Sequence, residues 1–325
     1  MSNQIEKAYI NQFKAGFEQA FQQSTSVLRP YVEIVRQASE FDYYDRIGLA
    51  DDLNLVTTRY GDNPMSEISH DRRRIGLADY DQGKAIDEKD LVRVATDPTS
   101  SYMQALVAAA NRKVDDVIIN TLTATAYTGK AGATTVAFAT NNQDDVTVGS
   151  VSNAAGGYAS SSYHNLETGT EGIDVDYRYT GTTGASSGLT LKKLKAVRRV
   201  MLQLYGISQE EVLPCFISAK QFEDLLGIDE VINSDYAVRK SLSEGSVTTF
   251  MGFRFIHCER LPLAGGIRSC FVFKPRAVKI AISQDITADM WRLPAKKNIP
   301  YLYVKLGIGG TRMWGENLAR IGCAE

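Results

Sequence analysis

Long apolar runs are missing from this sequence, although 44% of its 325 residues are hydrophobic. No stretch approaches the roughly 18 consecutive apolar residues that a membrane-spanning helix requires, so we expect no membrane partner. An excess of one charge sign is missing too, since the formal net charge at pH 7 is -2, which gives no global attraction to nucleic acid. The opening MSNQIEKAYINQF has Glu6 and Lys7 where a secretory signal needs an apolar core, so we expect no export.

Cysteine and histidine are also scarce. The four cysteines, at positions 215, 258, 270 and 323, include no CxxC pair, which favours free thiols in a reducing cytoplasm over a disulfide framework. A metal site built on His70, His164 and His257 would require convergence from three distant segments, and no HExxH or Cys/His ligand spacing occurs. We therefore expect neither a metal nor a cofactor.

Motifs for catalysis are missing as well. No GxSxG elbow occurs, and the glycine-lysine pairs at 83–84 and 129–130 lack the hydroxyl residue and the upstream spacing of a phosphate-binding loop. The glycines at 307–310 lack the third glycine and the following helix of a dinucleotide site. His257 and Cys258 are adjacent, but they stand in an alternating strand-like stretch that favours packed residues over a nucleophile. We expect no catalytic residue.

Apolar residues at helical spacing mark the N-terminal segment. Ile10, Phe13, Phe17 and Phe21 alternate with polar residues in the pattern of an amphipathic helix, and Pro30 bounds it. The pattern leaves open whether the apolar side packs within its own domain or on a neighbouring subunit.

The hexapeptide RIGLAD occurs twice, at 46–51 and again at 74–79. Short apolar and charged residues alternate from about 45 to 93, without a helical period and with a GDNP turn signal at 61–64, which predicts a long hairpin. Similarity stops outside the six residues, so a solenoid repeat is excluded. Either the repeat is a coincidence within an ordinary sheet, or the two copies lie against each other.

A turn centred between residues 62 and 63 would place the two copies in antiparallel register. Arg46 would then lie opposite Asp79, and Asp51 opposite Arg74, so that opposite charges close both ends. Because a lone hairpin is marginally stable in water, such an arm would need a neighbouring surface to lie on.

The remaining pattern predicts an α+β protein. Asp97 and Pro98 begin a long amphipathic helix that runs to about Leu122, and a Gly/Ser/Thr-rich β insertion occupies 129–188. A basic helix over 189–205 ends at Gly206. The other predicted elements are a strand at 212–218, a helix at 219–226, and strands at 248–258, 270–273, 277–283 and 301–308.

Two basic stretches could contact phosphate groups, namely 72–74 and the helix around 192–199. Neither contains interleaved aromatic residues, so salt bridges and solvated faces are the commoner explanation. We therefore do not expect DNA binding as the main role of these charges.

Several segments together resemble a tailed-bacteriophage major capsid protein of the HK97-like fold, over nearly the whole chain and least over 129–188. They are IEKAYINQFKAGFEQAFQQSTSVLRPYV, EFDYYDRIGLADDLNLVTTRYGDNPMSEISHDRRRIGLADYDQGKAIDEKDLVRVATDP, QFEDLLGIDEVINSDYA, TFMGFRFIHCERLP, KPRAVKIAISQDITADM and KLGIGGTRMWGENLARIGCA. The resemblance implies an N-terminal arm (1–41), an extended loop (42–94), a peripheral-domain spine helix (95–128), the insertion (129–188), an axial domain (189–289) and return strands of the peripheral domain (290–325).

The resemblance also implies a function. Such proteins form hexamers and pentamers that tile an icosahedral shell around double-stranded DNA, so we expect a virion protein that assembles in the cytoplasm of a bacterial host. A helix predicted close to Met1 favours a separate scaffolding protein over a cleaved scaffold segment, and portal and decoration proteins are further expected partners. The alternatives are the shell of an encapsulin-like protein nanocompartment and, from another class, a small-molecule enzyme.

The expected site is a subunit interface. Its candidate residues come from the apolar side of the N-terminal helix and from the charged ends of the repeat. They are Phe13, Phe17, Phe21, Arg46, Asp51, Arg72, Arg73, Arg74 and Asp79.

Overall fold

The computed structural model describes residues 22–48, 70–86, 99–136, 138, 172–173, 188–203, 208, 210–228 and 249–325, with isolated positions 55, 65 and 68. The helices in these ranges are α1 (Thr99–Thr123), α2 (Leu191–Gln203) and α3 (Ala219–Leu226). The strands are β1 (Glu33–Arg36), β2 (Phe41–Ile47), β3 (His70–Gly76), β4 (Ala78–Ala85), β5 (Ala126–Thr128), β6 (Thr134–Val136), β7 (Gly172–Ile173), β8 (Leu213–Ile217), β9 (Thr249–Phe250), β10 (Phe253–His257), β11 (Leu263–Ala264), β12 (Ile267–Phe273), β13 (Val278–Leu293), β14 (Ile299–Arg312) and β15 (Leu318–Ala324).

The chain divides into two compact units. The first comprises Met1–Ser26, Ala78–Val114 and Gln284–Ile308, and the second comprises Val27–Leu77, Asp115–Ser283 and Gly309–Glu325.

In the first unit, strands pack on the first part of α1. Strand β4 pairs antiparallel with β14, from Tyr301 opposite Ala85 to Ile308 opposite Ala78, and β14 also neighbours β13. One side of these strands forms an apolar core with the helix. Its members are Ile86, Leu106, Leu302 and Val304, with Met103, Val107, Ala110 and Ile286 packed against them. Because alternate residues of a strand point to opposite sides, the odd-numbered residues of β14 lie on the other, outer side.

The second unit is built on a larger sheet. Its strand order is β7-β15-β12-β8-β10-β9, and β11 pairs with β12. Every residue of β8 is buried, as expected for a central strand that is covered on both faces. Phe216 of β8 stacks on Phe273 of β12 with ring centres 5.2 Å apart, and Tyr31 meets Phe216 edge-on at 5.5 Å. The core of this unit is therefore aromatic as well as aliphatic.

A buried carboxylate attaches the start of the second unit to α1. Asp115 is fully buried, and its two carboxylate oxygens accept the backbone N–H groups of Val27 at 3.0 Å and Leu28 at 3.1 Å. The chain then makes a short 3-10 turn at Arg29–Tyr31 and enters β1, which runs parallel to β13 with Glu33 opposite Lys279. Such hydrogen bonds fix the backbone because unsatisfied buried groups would be costly.

A smaller sheet in the second unit has the order β2-β3-β5-β6. Its first two strands are antiparallel, with Phe41 opposite Gly76, Tyr43 opposite Arg74 and Arg46 opposite Asp71. The register predicted from the RIGLAD repeat is therefore wrong, since Arg46 does not lie opposite Asp79.

Two structural facts account for the difference in register. Strand β3 ends at Gly76, where the backbone of Gly309 approaches so closely that a Cβ at Gly309 would overlap the Gly76 carbonyl. After Leu77 the chain starts β4, in which Asp79 lies opposite Gly307 instead. The second RIGLAD copy is thus divided between two strands that pair with different partners.

Several predicted elements are confirmed. Helix α1 ends at Thr123, next to the predicted end at Leu122, and α2 and β8 lie inside their predicted ranges. Helix α3 has the predicted bounds, with a capping box from Ser218 to Gln221 and a closing Gly227. The predicted strand 248–258 is interrupted by a turn at Met251 and Gly252, both of which have positive φ.

Other predictions differ from the structure or cannot be compared with it. Strand β1 was not expected, β15 lies within the range 290–325 for which the resemblance implies strands, and β13 and β14 extend well beyond the predicted 277–283 and 301–308. The N-terminal helix, the turn at 61–64, the start of α1 at residues 97–98 and most of 129–188 lie outside the described residues. The domain boundaries inferred from the resemblance stay predictions.

Candidate subunit-interface surfaces

Arg46 contacts several residues of its own chain. Its Nε and Nη2 atoms both lie 2.9 Å from Asp71 Oδ2, and Nη1 donates to the Met313 carbonyl at 3.1 Å. The guanidinium also lies over the Trp314 ring, 5.3 Å from its centre. With its side chain only 10% exposed, Arg46 joins β2 to the segment after β14, and its assignment to a subunit interface stays a prediction.

Asp71 is the centre of this polar cluster. It accepts hydrogen bonds from the Thr128 hydroxyl and the Arg72 backbone N–H, in addition to its contact with Arg46. Burial alone would raise the pKa of this carboxyl, but those hydrogen bonds and the charges of Arg46 and Arg73 more than offset burial, so the pKa of Asp71 is lowered. Asp71 is therefore ionised at neutral pH.

Arg73 also belongs to the interior. Its side chain is 1% exposed, and Nη1 lies 3.9 Å from Asp71 Oδ2. Because side chains alternate along a strand, Arg73 points inward while its neighbours Arg72 and Arg74 point to the opposite face of β3. Arg73 therefore packs inside its own chain, and its assignment to a subunit interface stays a prediction. Phe13, Phe17, Phe21 and Asp51 lie outside the described residues.

The outward face of the small sheet combines arginines with aromatic rings. Arg74 lies between two of them, with its guanidinium 4.9 Å from the ring centre of Phe41 and 4.5 Å from that of Tyr127. Arg72 lies 5.7 Å from the Tyr43 ring centre and pairs with Asp45 at 2.6 Å. We call this surface the basic–aromatic face, and its members are Phe41, Tyr43, Ile47, Arg72, Arg74 and Tyr127.

This face is open to solvent. Phe41, Tyr43 and Tyr127 are 45%, 42% and 41% exposed, and Ile47 is exposed too. Cation–π contacts of this kind contribute about 0.5–1 kcal/mol at exposed sites and hold both the ring and the guanidinium in place. Residues 72–74 have no interleaved aromatic residues in the sequence, but the rings come from β2 and β5, which flank β3 in the sheet.

The first unit exposes an outer face of opposite charge. Trp291 contacts Tyr301 and Tyr303, with ring centres 5.3 and 5.1 Å apart, and the Tyr303 hydroxyl donates to Asp81 Oδ2 at 3.1 Å. Asp79 is exposed and, two residues before Asp81 on β4, lies on the same side. We call this surface the acidic–aromatic face, and its members are Asp79, Asp81, Asp289, Trp291, Tyr301 and Tyr303.

Close packing on this face depends on a residue without a side chain. A Cβ at Gly83 of β4 would overlap the Tyr301 ring and hydroxyl, so glycine is needed for the ring to lie flat across the strands. Asp79 is the one predicted interface residue on this face, and the three aromatic residues were missed. The signal that could have identified them is the alternation of aromatic residues in Tyr301-Leu302-Tyr303, where only Leu302 is buried.

His257 and Cys258, which are adjacent in the sequence, do not form a catalytic dyad. His257 is exposed, and its Nε2 lies 3.4 Å from Glu259 Oε2. Cys258 is buried, and burial raises the pKa of its thiol to about 11, so little thiolate exists at neutral pH. Within the ranges that the structure describes, no three His, Cys, Asp or Glu side chains are grouped so as to hold a metal ion, and no helix there is long and apolar enough to cross a membrane.

All four cysteines are free and buried, as the sequence predicts. Cys215, Cys270 and Cys323 lie on the adjacent strands β8, β12 and β15. Burial raises the pKa of the Cys215 thiol, and a hydrogen bond with Cys323 together with burial raises that of Cys270. The thiols therefore serve as core side chains.

A sequence model described as phage capsid protein matches residues 5–160 and 163–325, so the chain belongs to the phage capsid protein family. It is a major capsid protein, whose copies form the capsid shell of a virion. No curated protein sequence matches the chain significantly.

Solved capsid structures share the fold over the full length. The capsid of cyanophage P-SCSP1u matches with a TM-score of 0.68 at 14% identity, covering 100% of this chain and 96% of that one. The cyanophage Pam1 capsid has a TM-score of 0.64 at 16% identity, with 98% and 97% covered, and the mature capsid of bacteriophage PhiM1 has 0.63 at 11%, with 96% and 91% covered. The predicted α+β class and HK97-like capsid fold are confirmed.

Proposed function

We propose that copies of this chain assemble as hexamers and pentamers into an icosahedral head shell that encloses the double-stranded DNA of a tailed phage. The observation that carries the proposal is the family match over residues 5–160 and 163–325. The full-length fold similarity to capsid subunits supports it. The role is structural, with no catalytic step assigned to the chain.

The surfaces of the described residues are suited to such assembly. Both units expose aromatic side chains next to charged ones, and aromatic residues and arginine are enriched at the buried centres of protein interfaces. Of the predicted interface residues, Arg72, Arg74 and Asp79 lie on these surfaces, and we retain them. Phe13, Phe17, Phe21 and Asp51 are proposed as further interface residues in segments outside the described ranges.

The proposal includes partners beyond the chain itself. The shell would assemble in the cytoplasm of the bacterial host with a separate scaffolding protein, and would carry a portal and decoration proteins. Because the net charge is only -2, the shell would enclose the DNA as a container and would not hold it through overall electrostatic attraction.

Electron microscopy of the purified full-length chain tests the assembly. We expect closed particles in negative stain and a mass by light scattering far above that of a monomer, with a candidate scaffolding protein added where the chain alone does not assemble. Monomers under every assembly condition would contradict the proposal.

The content of particles from infected host cells tests the role of the shell. We expect double-stranded DNA that resists nuclease until the particle is opened. Particles that hold an enzyme and no DNA would instead indicate a protein nanocompartment of the same fold.

A further inference from the structure

We propose that the basic–aromatic face of one copy binds the acidic–aromatic face of a neighbouring copy. This inference rests on the proposed function, because it names the surfaces through which shell subunits contact each other. It is drawn from the charge, the exposure and the aromatic content of the two faces.

The two faces have opposite charge. The basic–aromatic face carries Arg72 and Arg74, and with the adjoining carboxylate of Asp45, which pairs with Arg72, the formal charge there is +1. On the outer side of the first unit stand Asp79, Asp81, Asp285 and Asp289 against Lys305, so the formal charge there is -3. Complementary charge steers association and disfavours wrong partners, because like charges brought together cost several kcal/mol.

The basic–aromatic face presents its arginines in fixed positions. Arg74 is held between the rings of Phe41 and Tyr127, which orients the planar guanidinium for paired hydrogen bonds to a carboxylate. Arg72 contacts Asp45 chiefly through Nε at 2.6 Å, whereas its Nη2 lies 3.5 Å from the second oxygen. A side chain ordered in advance loses less conformational entropy on binding.

The acidic–aromatic face is similarly ordered. Trp291, Tyr301 and Tyr303 form one contiguous group, in which the ring centres of Tyr301 and Tyr303 lie 6.2 Å apart with an angle of 27° between the ring planes. Trp291 is 42% exposed, and an indole ring of this kind is a frequent source of binding energy at interfaces. The opposite side of these strands is already covered by α1 residues through Leu106, so only the outer face is open to a partner.

A ring of identical subunits needs two different contact surfaces on each copy, which favours a second copy of this chain as the binding partner of both faces. Both faces are exposed on the single chain, and they are different surfaces. A contact between two different surfaces is heterologous, and repetition of such a contact with a closing rotation produces rings such as hexamers and pentamers. Nucleic acid could neutralise the arginines of one face, but it would leave the acidic–aromatic face unexplained.

Charge reversal on each face tests the inference. The basic-face variant is Arg72→Glu with Arg74→Glu, the acidic-face variant is Asp79→Arg with Asp289→Arg, and the fourfold variant combines them. A matched control, Lys220→Glu with Arg254→Glu, changes net charge as much as the basic-face variant does, at exposed residues outside both faces. Thermal melting of each variant shows that it still folds.

We expect each face variant to lose at least about tenfold in shell yield, because like charges then meet across the contact. The fourfold variant restores the opposite charges and should recover most of the yield, while the control should assemble as the unmodified chain does. If Arg74→Glu prevents folding, Arg72→Glu paired with Asp289→Arg tests the same contact, because both residues are exposed enough to tolerate substitution.

Several results would overturn the inference while leaving the proposed function intact. They are normal shell yield from both face variants, no recovery in the fourfold variant, or a basic-face variant that forms shells but loses only its DNA. The last result would assign the arginines to nucleic acid. If the unmodified chain forms no shells at all, the proposed function fails, and the inference fails with it.

Discussion

Arg46 and Asp71 lie directly opposite each other on β2 and β3, and the Arg46 guanidinium contacts the Asp71 carboxylate at 2.9 Å. The pair joins three parts of the second unit, because Arg46 also reaches the Met313 carbonyl and Asp71 also receives the Thr128 hydroxyl. The pair favours the observed register of the small sheet, since a slip of one strand by one residue would carry that strand's member of the pair to the opposite face.

A double-mutant cycle measures this pair. Arg46→Met and Asp71→Asn should each destabilise the folded chain by about 1.5–3 kcal/mol, because each leaves a partly buried charge without its partner. The two changes together should show a coupling energy of about 1–3 kcal/mol in urea unfolding. The control cycle pairs Arg46→Met with Asp79→Asn, where additivity is expected. Coupling there and not at Asp71 would contradict the observed register.

Glu325 should make the free energy of unfolding depend on pH under acidic conditions. Its carboxylate receives two hydrogen bonds from Arg268, at 2.9 and 2.8 Å, and others from Ser218 and Gln221. The contact with Arg268 is the main cause that lowers the pKa of Glu325 to about 2. An unfolded glutamate has a pKa of about 4.3, so this stabilisation is complete above about pH 4.3 and is lost as the pH falls toward 2.

Glu325→Gln should therefore lower the free energy of unfolding at pH 7, by about 1.5 kcal/mol, since a charged acceptor is lost. The difference from the unmodified chain should shrink as the pH is lowered from about 4.3 to 2, which urea titrations at several pH values would show. Glu40→Gln, at an exposed position, serves as the control. A difference that stays constant over this pH range would refute the assignment.

Gly309 should not tolerate a side chain. A Cβ at this position would overlap the backbone carbonyl of Gly76, which cannot move without breaking the pairing of β3 with β2. Gly309→Ala should cost about 2–3 kcal/mol, the range seen when extra atoms are forced into a packed interior. In Gly76→Ala the new Cβ would meet the exposed Phe41 ring at 3.1 Å, which can turn aside, so a smaller loss is expected. Equal losses in thermal melting would argue against backbone contact as the cause.

The four thiols should resist modification in the folded chain. Burial raises the pKa of Cys215 and raises that of Cys258 to about 11, so both access and thiolate content are low. Reaction with a chromogenic disulfide reagent should be at least about a hundredfold slower than in denaturant, since an opening that costs about 2.8 kcal/mol already reduces the reactive population by that factor. Rapid labelling of even one thiol without denaturant would contradict the burial.

The sequence predicted the helices well because their signals are local. The apolar stripe that ends near Leu122 and the capping box from Ser218 to Gln221 involve residues within a few turns of each other. The fold class could also be predicted, because the resemblance extends over most of the chain. Strand β1 was missed, and the residue pattern alone did not predict β15, since short strands take much of their stability from partners distant in sequence.

The two exposed faces could not be predicted from the sequence. Each combines side chains from strands that are far apart along the chain, as Tyr127 with Arg74 and Asp81 with Tyr303. Their assembly depends on strand register, and the RIGLAD repeat suggested a register that differs from the observed one. Charge and spacing alone therefore led to the prediction of Arg72, Arg74 and Asp79 as interface residues, but not to the aromatic rings that lie beside them on the two faces.

The burial of every native cysteine makes this chain a convenient scaffold for bioconjugation. One cysteine introduced at an exposed position such as Lys220 would be the sole accessible thiol, with no need to remove the natural four. Maleimide-linked dyes, peptides or antigens could then be attached at one defined point per copy, so an assembled particle would carry one attachment site per subunit.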